Sequence, residues 1–237
     1  MNQQQKFIPV PETHLPHGRI VPAFRVSQFL ISRSPSGELL SAPGFPPLVR
    51  TSFPRAIDHC RAMGWSLIRE SQWLAIAWNV SRMASNWTRR TPGNGKLRQG
   101  IRKGELAEPA SAMWQPHKGE ERWKTLNNGH EICDFGGNAW SWVFDDVQGR
   151  LNGEANVIED SSISLTTAPF ASWTHGMGIR PRTRQVWQVW DERSLIRGGG
   201  FSSDRDAGAF ALSAAPTWGE YLSVGFRATR AFLPDEQ

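Results

Sequence analysis

Apolar positions recur at helical spacing in only two stretches of the chain. In Phe53-Pro54-Arg55-Ala56-Ile57-Asp58-His59-Cys60-Arg61-Ala62-Met63, the residues Ala56, Cys60 and Met63 fall three and four apart, Pro54 stands near the start, and Gly64 follows as a stop. That pattern predicts a short amphipathic helix, because proline costs nothing where the first turn has no N–H partner to lose. Ser71-Gln72-Trp73-Leu74-Ala75-Ile76-Ala77-Trp78 opens on a candidate N-cap, Ser71, and its apolar spacing predicts a second helix running to about Met83. Trp65 to Ile68 is a short link between them. Upstream, Val21 to Ile31 reads as a strand with Phe24, Val26 and Ile31 as core positions. From Glu131 onward the helical period is lost, and short apolar runs alternate with Gly, Asn, Asp and Pro. Trp140 to Phe144, Val186 to Trp190 and Leu222 to Phe226 are predicted strands, with Trp140 and Trp142 on one face because side chains alternate with period two. The pattern as a whole is α+β: two short helices early, and a small antiparallel sheet with much irregular loop late.

The breaks in the pattern suggest boundaries. Residues 1–22 carry Pro9, Pro11, Pro16 and Pro22 with few apolar pairs, and read as an extended N-terminal arm that packs on a neighbouring subunit or stays mobile. Residues 23–237 form one domain without repeats. Within it, the five prolines of residues 34–54 mark a loop. Residues 85–120, rich in Gly, Pro, Arg and Lys, read as a basic loop insertion outside the core.

Composition narrows the functional classes. A chain of 237 residues with 39% apolar content, 12 Trp and 12 Phe has ample material for a packed core. The net charge of +5 comes largely from Arg89-Arg90, Lys96, Arg98 and Arg102-Lys103. No nucleic-acid motif accompanies them, so they are expected to be a solvated surface and nucleic acid is not an expected partner. There is no apolar run long enough to span a membrane, and Met1-Asn2-Gln3-Gln4-Gln5 lacks the layout of a secretory signal. The expectation is a soluble protein made in the cytoplasm. Cys60 and Cys133 make no disulfide framework and no metal-spaced cluster, and are expected to be buried thiols. His14, His17, His59, His117, His130 and His175 are scattered without metal or triad spacing. Asp145-Asp146 reads as a charged loop and Gly93-Asn94-Gly95-Lys96 as a turn, so no catalytic residue, metal or cofactor is expected from the residues alone.

The last forty residues have a different organisation. Arg197-Gly198-Gly199-Gly200-Phe201, Ala207-Gly208-Ala209-Phe210-Ala211-Leu212, Ala215-Pro216 and Val224-Gly225-Phe226-Arg227 alternate with mixed residues. This layout reads as a fixed frame holding interchangeable positions, which is the physical design of a binding surface. The candidate ligand-binding residues are Phe201, Ser202, Ser203, Asp204, Arg205, Asp206, Ser213, Trp218, Glu220, Tyr221, Leu222 and Ser223. Phe201, Trp218 and Tyr221 offer large contact area at low rotamer cost. Asp204, Arg205, Asp206 and Glu220 set polarity, and the serines leave room for a partner.

Four ordered motifs carry a family resemblance over about residues 53–230. They are the helix Ala56 to Gly64 followed by Leu67 and Glu70-Ser71-Gln72-Trp73; Gly137-Asn138-Ala139-Trp140-Ser141-Trp142-Val143; Arg197-Gly198-Gly199; and Gly225-Phe226-Arg227. Together they resemble the formylglycine-generating-enzyme superfamily, which implies a C-type-lectin-like fold. The signature residues make sense as packing devices, with Arg227 bonded internally beside Phe226. Those enzymes carry a cysteine pair before the final Gly-Phe-Arg, whereas Gly200 to Val224 contains none. Copper-dependent oxidation is therefore not implied. The family's calcium set includes a Glu where this chain has Ser141, although Asp134 keeps an upstream oxygen, so structural calcium is not expected either.

The C-terminal frame is more similar to another branch of this fold, the variable target proteins of diversity-generating retroelements, which include phage tropism determinants. Their frame of Arg-Gly-Gly-x-Trp, Ala-Gly-x-Phe-x-Leu, Ala-Pro and Gly-Phe-Arg is matched here, with Phe201 in place of the Trp. In that family the filling arises mostly from Asn codons by adenine replacement. Ser202, Ser203, Asp204, Arg205, Asp206, Ser213, Ala214 and Tyr221 to Ser223 are compatible with such an origin; Trp218 and Glu220 depart from it. The resemblance implies a receptor-recognition protein with a diversified surface, binding a protein or glycan on a cell surface, associated with a phage tail or displayed by another route. Self-association is expected because linked weak contacts gain avidity. The alternatives are an oxidoreductase of the formylglycine-generating or sulfoxide-synthase type and a structural phage component.

Overall fold

The structure is a computed structural model that describes residues 5–15, 18–146, 156–158, 185–187 and 193–232. Both expected helices form. Helix α1, Phe53–Ala62, buries Ala56 and Cys60, and the chain leaves it through Gly64 in the left-handed region at φ 70°. Helix α2, Glu70–Arg82, begins earlier than its Ser71 suggested. Arg69 is the capping residue, and its backbone N–H donates to Gln72 Oε1 at 2.9 Å. Ser71 instead donates its N–H and hydroxyl to the Asp146 carboxylate, at 2.8 and 2.5 Å. A carboxylate at a helix N-terminus is electrostatically favourable, and here it ties the end of the Trp-rich strand to α2.

Eight strands make two four-stranded sheets. In chain order they are β1 Phe7–Val10, β2 Phe24–Ser27, β3 Ser66–Leu67, β4 Trp140–Val143, β5 Arg193–Arg197, β6 Leu212–Pro216, β7 Val224–Phe226 and β8 Ala228–Arg230. The first sheet has the order β1-β2-β8-β3 and the second β6-β5-β4-β7. The strand pairs are antiparallel except β4 with β7, which run parallel, Trp142 opposite Phe226. Shorter paired strands complete the architecture at 13–14 with 20–21, 32–33 with 39–40, 123–125 with 131–133, and 156–158 with 185–187. The predicted strand at Val186 is thus met in Gln185–Trp187, and its remainder to Trp190 lies outside the described residues. His17 and His175 lie outside them too.

Two apolar clusters hold these layers. One surrounds α2, joining Trp73, Leu74, Ile76 and Val80 to Val10, Val26, Leu126 and Phe135. The other lies between α1 and the second sheet, joining Ala56 and Cys60 to Trp142, Ile196 and Phe226. Phe24, Val26 and Ile31 are buried as expected.

Two boundary expectations are corrected. Residues 7–10 are not part of a detached arm: β1 pairs with β2 from Phe7 opposite Ser27 to Val10 opposite Phe24, and Val10 is fully buried. Proline is tolerated there because β1 is an edge strand, where a missing N–H breaks no ladder on the open side. Nor does the basic stretch 85–120 lie wholly outside the core. Trp87 and Leu97 belong to the cluster around α2, and the Trp87 indole N–H donates to Ser81 O at 2.7 Å. Its cations Arg89, Arg90, Lys96 and Lys103 are solvated, as the charge pattern suggested. Both cysteines are free and buried, and desolvation pushes the Cys60 thiol up to about 12 and Cys133 higher still. Among the described residues no helix is long and apolar enough to cross a membrane.

Candidate binding surface

Most frame residues of the C-terminal region are buried, with Leu212 half-buried and Pro216 exposed at the end of β6. Arg197 at the end of β5 is inaccessible and forks onto the equally buried Glu70 of α2, its Nε donating to Oε2 at 3.0 Å and Nη2 pairing with Oε1. Its remaining Nη1 donates to Phe210 O at 3.0 Å. One guanidinium therefore joins helix, strand and loop, satisfying a bidentate geometry that lysine lacks. Trp73 stacks on Phe135 at 4.2 Å and donates its indole N–H to Ala209 O at 2.7 Å. Gly199 has φ 85°, and a Cβ there would run into the backbone of Ala207, so the first and second frame segments touch through glycine. Arg227 stands where the chain passes from one sheet to the other, donating to the carbonyls of Ser27 at 3.0 Å and Cys133. This is the internal bonding expected of it, and burial brings its pKa down to about 10.

The intervening residues divide differently. Ser202, Asp204, Arg205, Trp218 and Glu220 are exposed, Trp218 at 75%. Ser203, Asp206, Ser213, Tyr221, Leu222 and Ser223 are half-buried. Ser213 sits in β6 opposite Ile196, on the sheet face that also carries Trp142. Phe201 is corrected from a contact anchor to a support: it is 8% exposed, its N–H donates to Asn138 O at 2.8 Å, and its carbonyl accepts from Gly104 at 2.8 Å. A large ring next to glycines gains more from packing under the loop than from solvent. Tyr221 also turns inward, its ring 6.1 Å from Trp142 and folded over Gly219, where no Cβ fits.

Both filling stretches meet at the start of β4. The Trp140 N–H donates to Ser223 O at 2.8 Å, and the Trp140 ring lies against Gly200, whose other neighbour is Ser223. Half-buried Trp140 is thus the floor between loop 200–206 and loop 217–223. The sequence marks it as a packing residue on the strand face of Trp142, and only its position at the strand end signals a place at the surface. Two cations were likewise missed. Arg102 brings the basic loop alongside the surface, accepting the Asp204 N–H at 2.8 Å through its carbonyl and pairing with Asp204 Oδ1 at 3.1 Å. Arg55 of α1 pairs with Glu220 at 2.7 Å.

The positions that hold calcium in the resembled enzymes do not fit a cation here. Both Asp134 oxygens are engaged by the buried Arg122, at 2.8 and 2.5 Å, and Oδ2 also accepts from Asn138 at 2.9 Å. A guanidinium already neutralises the carboxylate, and the Ser141 hydroxyl donates to Trp142 O at 3.3 Å. Asn138 further clamps Ala110 through its N–H and carbonyl, each at 2.9 Å, which gives the Gly-Asn motif a purely structural task. Clefts of about 400 Å³ lie beside Trp78 and Arg82 and beside Arg69 and Arg230, and neither of these is lined by a candidate residue.

No family model matches the chain, and no curated protein matches it. Solved structures do. Treponema denticola variable protein 1 superposes with a TM-score of 0.51 at 10% identity, over 95% of this chain and 95% of that one. The Major Tropism Determinant M1 variant gives 0.49 at 11% identity over 88% of this chain, which spans only 50% of the determinant's length. PvdO from Pseudomonas aeruginosa gives 0.42 at 12% identity, over 96% of this chain and 91% of that one. With its two helices, small sheets and extensive loop, the chain has the C-type-lectin-like fold in the form that the Treponema variable protein shares.

Proposed function

We propose that this protein is a ligand-binding scaffold that recognises a macromolecular partner through residues 202–206 and 213–223. The observation that carries the reading is a partition: the frame segments Arg197 to Phe201, Ala207 to Ala211 and Val224 to Arg227 are buried and bonded into the core, while Ser202, Asp204, Arg205, Trp218 and Glu220 face solvent. Such a surface can change its side chains without touching the supports beneath. Its exposed indole and mixed charges suit a protein or glycan receptor on a cell surface better than a small molecule. A phage-tail or displayed location and self-association are parts of the same reading, the latter tested by native mass measurement. Sequencing the neighbouring DNA tests the diversification claim. A reverse transcriptase and a near-identical template repeat differing at adenines are expected; their absence removes that claim.

The copper-dependent form of the enzymatic alternative lacks its thiolate ligands. Residues 200–224 hold no cysteine, and Cys60 and Cys133 are buried thiols in separate elements. Incubation with copper and a cysteine-containing sulfatase peptide is expected to give no aldehyde, and clear turnover would reverse the assignment.

A further inference from the structure

The pairing of Glu220 with Arg55 opens onto a strip made by Arg55 and His59 of α1 and by Arg33 of the neighbouring strand 32–33. Arg55 and His59 are one turn apart on the exposed side of that helix, and Arg33 Nη2 lies 3.4 Å from His59 Nε2. The imidazole lies nearly parallel to the ring of Phe226, centres 6.1 Å apart at 18°, so His59 neighbours a frame residue. Asp58, the acidic residue of this helix, is drawn to Arg61 at 3.6 Å. Arg33, Arg55 and Asp58 are the charged groups facing His59; burial, then Arg33, then Arg55 lower its pKa, and Asp58 opposes them. Two guanidiniums flank His59, and the carboxylate that pairs with Arg55, Glu220, lies outside the frame motifs.

We propose that Arg55, His59 and Arg33 form a carboxylate-binding ledge for an acidic segment of a protein partner, and that Glu220 occupies its first position as a built-in competitor. This rests on the binding-scaffold reading and deepens it by naming the partner's chemistry. A protein carboxylate is favoured over other anions because Glu220 already demonstrates the fit, at 2.7 Å from Arg55. The competition is mild, since both groups are solvent-exposed and an exposed pair contributes less than about 1 kcal/mol. Replacement of residue 220 therefore switches the ledge between masked and open without disturbing the fold.

The test compares wild type, Glu220→Gln, and Glu220→Gln with Arg55→Ala for binding of a capped tetraglutamate peptide at low ionic strength, with circular dichroism confirming that each is folded. The Gln variant is expected to bind roughly fivefold tighter than wild type, on the scale of one exposed ion pair, and the added Ala change to abolish the gain. Peptide binding is also expected to raise the His59 pKa in the Gln variant, read from its imidazole resonances. Equal affinity of wild type and Gln variant overturns the proposal, as does a gain that survives Arg55→Ala. A gain for a heparin-derived sulfated tetrasaccharide without one for tetraglutamate overturns the assignment to a protein partner. Changes at Ser202 and Asp204 that alter partner range while the ledge fails leave the scaffold reading standing, which separates the two failures.

Discussion

Asp204 is held at φ 47°, in the left-handed region, with its amide bonded to Arg102. Interchangeability at this position is therefore bounded by the backbone: Asn, Asp and Gly adopt that conformation readily and β-branched residues do not. Asp204→Val is expected to cost about 1–2 kcal/mol more than Asp204→Gly, since both lose the same Arg102 pair and differ in backbone strain. Urea unfolding midpoints measure the difference. Lys124 has a separate consequence for stability. It is buried, its Nζ donating to Glu121 O, and desolvation lowers its pKa from 10.5 to about 8. The unfolded chain then binds the extra proton between pH 8 and 10.5, so this residue's penalty is full below pH 8 and fades as pH rises. Cys60 has the opposite sign, its contribution being present below pH 9 and lost as pH climbs toward 12. Lys124→Met is expected to remove a penalty of about 3 kcal/mol at neutral pH, and its stability advantage over wild type is expected to shrink from pH 8 to 10.5. Stability measured across that range for the two proteins checks the sign.

At the scale of elements, local sequence described short-range structure well and long-range pairing poorly. The helix at Ala56, Cys60 and Gly64 was legible because spacing and stop lie within one segment. The start of α2 was not, because it is set by Gln72 and by Asp146, a residue that follows β4. Likewise β1 looked like an arm, since its partner strand is what makes Pro9 tolerable, and Trp87 in a basic loop gave no sign of the pocket that receives it. The Arg197–Glu70 pair ties two elements whose motifs were legible in the sequence but whose contact was not. Arg197→Met leaves Glu70 buried without its cation and is expected to cost about 3–5 kcal/mol, whereas Arg197→Met with Glu70→Leu recovers much of the loss. Thermal or urea unfolding of both variants decides this. A single loss shared equally by the two would contradict the assigned pairing.

For the whole molecule, the alternation of frame motifs and mixed filling was legible in the sequence, but the burial and role of individual residues inside it were not. Phe201 fits the description of a contact residue and lies beneath the loop; Trp140 fits that of a core residue and forms the floor of the surface. Burial depends on which segments meet, and Gly199 against Ala207 and Ser223 against Trp140 are meetings no local window shows. The flanking Arg55 and Arg102 were hidden for the same reason, being more than 100 residues from the carboxylates they meet. The most direct test of the account is a displayed library with full substitution at Ser202, Arg205, Trp218 and Glu220, compared with one at Arg197, Gly199, Phe210 and Arg227. Each is scored for protease resistance and for binding across a panel of cell-surface proteins and glycans. The first library is expected to stay folded at most substitutions while its partner range shifts, and the second to lose resistance at nearly every change. Equal loss of folding in both libraries, or an unaltered partner range in the first, contradicts the account.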